Sequence, residues 1–301
     1  MRFVTFCHDG RERAGVLMGD ASAADDRVCD LAAPAMRDAL GGLAPDVGAF
    51  IAAGLPEVAA RIEAHGLREA ALLALDEVRL RAPVPRPRRI FALAFNYRDA
   101  VRERGMDEPA EPVLFMKHPE TVIGPGEPVI LPAGVGGVTY ESELAVFIGR
   151  GGRDIPRETA MEHVVGACVF NDVSASELIR KDRGFERGKN LPTFGPFGPY
   201  LATVDELGAL HDLAVRLEVD GQTLQEGNTA DLIFNIPALV SHLSRGQSLE
   251  PGDVIATGTP AGVAAMRSPP AWLRPGATMR ASVAGLGTLT NPVIEQGVFH
   301  G

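Results

Sequence analysis

Apolar residues in this chain fall mostly into short runs closed by glycine and proline, the pattern of strands joined by turns. Near the N-terminus, RFVTFC and AGVLMGD read as a strand pair joined through HDGRER. LPEVAARIEAHG then reads as a helix, with Pro56 near its start and Gly66 at its end. APVPRPRR (82–89) cannot continue a helix and reads as a linker. Beyond it, GPGEP, PAGVGG, GPFGP, EPGD and RPGA punctuate many short strands, with helical stretches expected at 97–105, 156–163, 174–182 and 236–245. Strands in succession, rather than in alternation with helices, predict an α+β class. The expected division is a small N-terminal α/β domain over 1–80 and a β-rich domain over 81–301.

One run breaks the pattern. TYESELAVFIGR (139–150) places two glutamates at the head of an apolar strand. Residues i and i+2 share a face of a strand, so Glu141 and Glu143 look the same way as Ala145 and Phe147. At about 7 Å and an effective dielectric of about 20, their mutual repulsion is roughly 2 kcal/mol. Either something compensates that charge or the strand faces water.

Composition narrows the possibilities. A 301-residue chain with 46% hydrophobic residues has room for a full core. The formal net charge of −10 and the lack of a Lys/Arg cluster argue against a nucleic-acid partner. Apolar runs fall short of a membrane span, and MRFVTFCHDGRERAG lacks the apolar stretch of an export signal. Cys7, Cys29 and Cys168 are odd in number and far apart, which suits reduced thiols. A cytoplasmic setting is therefore expected.

In ACVFNDVSASEL (167–178), a strand is expected to end at Phe170, with Asp172 just before a helix. Asp172 or Ser174 can cap that helix, or Asp172 can join Glu141 and Glu143. Three carboxylates without a Cys/His cluster make a hard oxygen site for Mg²⁺, Mn²⁺ or Ca²⁺. By spacing alone, both readings stay open, as does a plain surface strand. GFERGKN lacks the spacing and the Ser/Thr of a phosphate loop, and no G-x-S-x-G elbow occurs.

Taken in order, FNYRDAVRERG, LFMKHPETVIGPGEPVILP, YESELAVFIGR, FNDVSASEL, RGKNLPTFGPFGPYL, LQEGNTADLIFNIPALVSHLSRGQSLEPGDVIATGTPAGV and GLGTLTNPV resemble the fumarylacetoacetate hydrolase superfamily over about residues 88–295. The resemblance implies a mixed β-roll or sandwich catalytic domain, usually in a homodimer. It implies a divalent cation, Mg²⁺ or Mn²⁺ with Ca²⁺ as a third candidate, on Glu141, Glu143 and Asp172. Lys189 matches the lysine that would stabilise an enolate oxygen. Tyr97, Lys117 and Thr259 match substrate-facing positions, and Gln225 and Asn228 match a loop near the site. The implied substrate is a small 2-oxo acid or 1,3-dicarbonyl acid, cleaved at a C–C bond through a metal-stabilised enolate. Decarboxylation and keto–enol isomerisation share that intermediate.

Two positions depart from the resemblance. Where C–C hydrolases of this type carry Asn-Tyr-x-x-His-x-x-Glu, this chain has NYRDAVRE, with Ala100 for the histidine and Glu103 for the glutamate. Alanine cannot deprotonate water. Ser176 stands where an arginine is common, four residues beyond Asp172. His118 and Glu103 are the candidates for a substitute base. A homologue that binds metabolites without catalysis is the alternative of a different class.

Overall fold

The computed structural model describes residues 1–23 and 25–297. Its largest sheet is twelve-stranded. Across it the order is Leu72–Ala74, Arg27–Asp30, Arg11–Met18, Arg2–His8, Gly195–Thr203, Val164–Asn171, Ser142–Ile148, Asp253–Ala256, Arg89–Ala94 and Val113–Lys117. Arg79–Arg81 and Val122–Ile123 pair off this path. A five-stranded sheet runs Gln222–Asn228, Ala214–Val219, Thr278–Val283, Thr288–Glu295 and Val129–Leu131, and Val138–Thr139 pairs alone with Ser174–Ala175. Most neighbours are antiparallel, while Asp253–Ala256 runs parallel to Arg89–Ala94. This is the β-rich mixed architecture expected from the succession of strands.

The first strand pair forms as read, across a two-residue turn in which Asp9 and Gly10 both have positive φ (49° and 70°), the geometry that matches strand twist. The strand Arg2–His8 also pairs with Gly195–Thr203, through Arg2↔Ala202 and Phe3↔Leu201. Residues 1–80 thus share a sheet with the rest of the chain. The 82–89 segment is packed rather than free: Ala82 and Val84 are buried, and the Pro83 carbonyl accepts from Thr5 Oγ1 at 2.7 Å.

The helix read from residue 55 starts earlier. It spans Val47–His65, capped by Asp46 Oδ1 accepting from Ala49 N at 2.7 Å, and is broken at Gly54 (φ 98°, ψ 89°). Pro56 opens the second half, where its missing N–H costs nothing. The 156–163 stretch is a 3-10 helix (Arg157–His163), and Ser174 and Ala175 are strand residues before the helix Ser176–Asp182. No side chain caps that helix, so neither Asp172 nor Ser174 serves as its cap.

Ser142–Ile148 is buried along its whole length, which explains its continuous apolar run. Leu144, Val146 and Ile148 pack with Met279, Ala281 and Val283 of the five-stranded sheet. Ala145 and Phe147 belong to the second core, which also holds Phe50, Ile51 and Val58 of the long helix. Burial of one such large side chain stabilises the fold by about 1.5–3 kcal/mol. A strand pinned on both faces cannot slip, and its first residues carry the site.

Candidate active site

Ser142–Ile148 and Val164–Asn171 are antiparallel neighbours, with Ser142 opposite Asn171. The residue before one strand and the residue after the other therefore meet at the same edge. Asp172 N donates to the Glu141 carbonyl at 2.9 Å, and Glu141 N donates to Asn171 Oδ1 at 2.9 Å. Carboxylate oxygens of Glu141, Glu143 and Asp172 come within 4.8 Å of one another. The sequence-expected trio is assembled.

The trio fits a cation. Glu143 is fully buried; its Oε2 accepts from Gly258 N at 2.9 Å, while Oε1 has no hydrogen-bond partner among the described residues. A buried carboxylate oxygen without a partner is costly, and a divalent ion supplies that partner with hard oxygen chemistry. Burial, reinforced by repulsion from Asp172 and Glu141, pushes the Glu143 carboxyl well up from its ordinary value. Burial also raises Glu141, opposed by Lys189 and, at longer range, Arg104. Gly258 has φ 95°, and a Cβ there would press on Asn96 Cβ at 3.0 Å. Gly258, the first glycine of TGTPAG, thus serves the turn and holds the Glu143 carboxylate.

Two ammonium groups flank Asp172. Lys189 Nζ lies 2.5 Å from Asp172 Oδ2 and 2.8 Å from Glu141 Oε2. Burial works against its charge, but Asp172 and Glu141 together hold Lys189 above the ordinary lysine range. Lys117 Nζ lies 2.5 Å from Asp172 Oδ1 and 3.0 Å from the Val173 carbonyl. Burial depresses Lys117, partly offset by Asp172. Burial likewise works to raise Asp172, yet the two lysines hold it below its usual value. Lys117, expected to face substrate, instead sits behind Asp172 with its side chain fully buried.

A cleft of about 160 Å³ opens onto Glu141 and Lys189, walled by Ala100, Ser176, Phe95 and Thr259. Both departures from the resemblance, Ala100 and Ser176, are on its walls. Thr259 Oγ1 donates to the Ser142 carbonyl at 2.9 Å and accepts from Gln225 Nε2 at 2.8 Å. Gln225 is itself buried, with its Oε1 accepting from Ser142 N at 3.0 Å, so it braces Thr259 rather than lining the cleft. Tyr97, expected to face substrate, is not among the residues that line the cleft; it is buried with its hydroxyl unpartnered among the described residues. Burial, then the Glu143 charge, pushes its phenol far up.

The other expected residues lie outside this cleft. Asn228 closes a turn, accepting from Ala230 N at 2.8 Å. His118 is half exposed and pairs with Glu186 at 2.8 Å. Glu103 is exposed and accepts from Gly262 N at 3.1 Å. A larger groove of about 600 Å³ lies between Glu12, Arg81 and Glu127; Arg79 and Arg81 are paired with Glu127 there, and no metal-ligating group of three falls in it among the described residues. Sequence reading missed Phe95, Phe185 and Arg104 as cleft residues. Only the i,i+4 relation of Ala100 to Arg104, which share a helix face, signalled the last.

A β-rich scaffold carrying buried carboxylates for a divalent cation beside a buried ammonium defines a class of enzyme centre that stabilises negative charge on oxygen. Residues 89–294 match the family described as fumarylacetoacetate (FAA) hydrolase, C-terminal, and the chain belongs to that family. It is 40% identical over 226 residues to oxaloacetate tautomerase YisK of Bacillus subtilis, covering 74% of this chain and 75% of that one. To the mitochondrial oxaloacetate tautomerase fahd2 of Xenopus laevis it is 38% identical over 225 residues, 74% of this chain and 70% of that one. The structure of the fumarylacetoacetate hydrolase from Exiguobacterium antarcticum is similar over 98% of this chain and 100% of the other, with 34% identity and a TM-score of 0.84. No helix among the described residues is long and apolar enough to cross a membrane.

Proposed function

We propose that the chain is a divalent-cation-dependent tautomerase that interconverts keto and enol forms of a small 2-oxo acid. The observation that carries this reading is the wall at Ala100: a methyl group lines the cleft where hydrolysis needs a base, while Glu141, Glu143, Asp172 and Lys189 are all in place. Mg²⁺ or Mn²⁺ on the three carboxylates would polarise the 2-oxo oxygen and neutralise the adjoining carboxylate. Lys189 has three N–H donors, of which Glu141 and Asp172 take two. The third is free for the oxygen on which charge gathers. Gln225 holds the Thr259 hydroxyl at the cleft wall. Enolate stabilisation is thus supported while position 100 offers no imidazole to act as a base on water; the proton that leaves C3 would pass to solvent, and the enol oxygen would take one from it.

Oxaloacetate is the first substrate to try, since two relatives are named for its tautomerisation. With Mg²⁺ or Mn²⁺, the protein is expected to speed relaxation of the enol absorbance of oxaloacetate beyond the metal alone, and a chelator is expected to abolish the effect. Identical rates for chelator-stripped and ion-loaded protein would overturn the reading. Release of CO₂ as the main product would make the enzyme a decarboxylase, and release of pyruvate from an acylpyruvate a hydrolase.

Ala100→His is expected to bring acylpyruvate hydrolysis above background, because it restores an imidazole to the cleft wall. If the unaltered chain already hydrolyses acylpyruvates at a comparable rate, Ala100 does not decide the reaction.

A further inference from the structure

We propose that Arg104 anchors a second carboxylate of the substrate, so that the site takes a compact 2-oxo dicarboxylate rather than a monocarboxylate. This rests on the 2-oxo acid reading above and narrows its substrate class.

The cleft contains two cationic side chains among the residues that line it, Lys189 and Arg104. Lys189 is committed to Asp172 and Glu141. Arg104 forms no ion pair among the described residues, although Arg98 and Arg102 on the same helix reach Glu108 and Asp231. Its position is nonetheless fixed. Arg104 Nη1 donates to the Ala100 carbonyl at 2.8 Å, and the guanidinium lies 5.8 Å from the centroid of the Phe95 ring. Phe95 is itself held in an uncommon conformation, φ 59°, with its ring 6.3 Å from that of Phe185. A non-glycine residue there is worth a functional question. Here it sets an aromatic surface under the arginine, whose Nε and Nη2 have no acceptor among the described residues.

Charge and size point the same way. The three carboxylates are opposed by Lys117, Lys189 and Arg104, so the side chains sum to neutrality and a bound divalent cation leaves two positive charges. A dicarboxylate neutralises both; a monocarboxylate leaves one. Guanidinium matches a carboxylate with two parallel hydrogen bonds, which an ammonium cannot do. At about 160 Å³, the cleft is below the ~300–1,000 Å³ of sites for drug-sized ligands, which suits a short diacid. Ala100 and Ser176, both small, leave the room that a distal carboxylate needs beside Arg104.

Lactate and malate test this directly, since both offer a carboxylate and a 2-hydroxyl and only malate adds a distal carboxylate. Calorimetry on the full-length, Mn²⁺-loaded protein is expected to show malate binding about ten- to hundredfold more tightly than lactate, the range for a hydrogen-bonded charge. Arg104→Gln is expected to bring malate down to the lactate level with lactate unchanged, and Arg104→Lys to keep part of the preference. In turnover, Arg104→Gln is expected to raise KM for oxaloacetate more than it lowers kcat. Equal binding of the two acids by the unaltered protein, or an equal loss for both in Arg104→Gln, would overturn the proposal. The binding experiment needs no turnover. An Arg104-dependent malate preference without tautomerisation would sink the tautomerase reading alone; tautomerisation with an unchanged KM in Arg104→Gln would sink this one alone.

Discussion

Lys189→Met is expected to lower kcat/KM for the 2-oxo acid by about 10²–10³-fold, the usual loss on removing one donor aimed at a developing oxyanion. Methionine keeps most of the length of the lysine stem while removing the ammonium that lies 5.0 Å from the centroid of the Phe115 ring. The loss should fall on kcat, because the third N–H serves an oxygen that carries charge only as the reaction proceeds. Cation affinity should move the other way. Lys189 now contacts Glu141 Oε2 and Asp172 Oδ2, two oxygens of the metal trio, and its removal leaves them to the cation alone. Steady-state kinetics together with Mn²⁺ calorimetry check both halves. Lys189→Met with near-normal kcat, or with activity lost only because Mn²⁺ no longer binds, would remove Lys189 from the chemistry.

The carboxylate trio was only half legible in the residues themselves: strand spacing raised it, and the family resemblance singled it out over a helix cap or a surface strand. Alternation in TYESELAVFIGR puts Glu141 and Glu143 on one face, and the strand end after ACVFN delivers Asp172 to the same edge once the two strands pair. The role of Lys117 was not legible. Its position at the end of Val113–Lys117 is plain, but only the depth of packing decides that it backs Asp172 instead of facing substrate. Arg104 was hidden for the converse reason. It sits among charged residues that look solvent-bound, and its access to the cleft depends on the small side chain of Ala100 one helical turn away. The first half of Val47–His65 escaped because Gly54 and Pro56 read as a boundary, whereas buried Phe50, Ile51, Leu55 and Val58 hold both halves against one core. Local pattern thus raised the carboxylates and the resemblance grouped them; tertiary burial decided what surrounds them.

Asp172→Ala is expected to be the most damaging single change to stability, at about 3–5 kcal/mol in the metal-free protein. Asp172 is fully buried between Lys117 and Lys189, whose side chains are 0% and 4% exposed. Removing the shared anion leaves Lys117, among the described residues, with the Val173 carbonyl as its one hydrogen-bond partner, while Lys189 keeps Glu141. Burial already depresses Lys117 against the pull of Asp172, so without that pull its folded-state affinity for a proton falls further below that of the unfolded chain. Between those two affinities the unfolded chain binds the extra proton, and stability rises with pH. The deficit of Asp172→Ala should therefore be largest at low pH within the native range and shrink toward alkaline pH. Adding Lys117→Met should recover much of the loss, since an apolar side chain is more easily buried than an unpaired ammonium. Denaturant unfolding of the chelator-treated single and double variants at two pH values reads all three effects. A single-variant loss below about 1 kcal/mol, equal at both pH values and unrelieved by Lys117→Met, would mean that the buried lysines do not depend on Asp172.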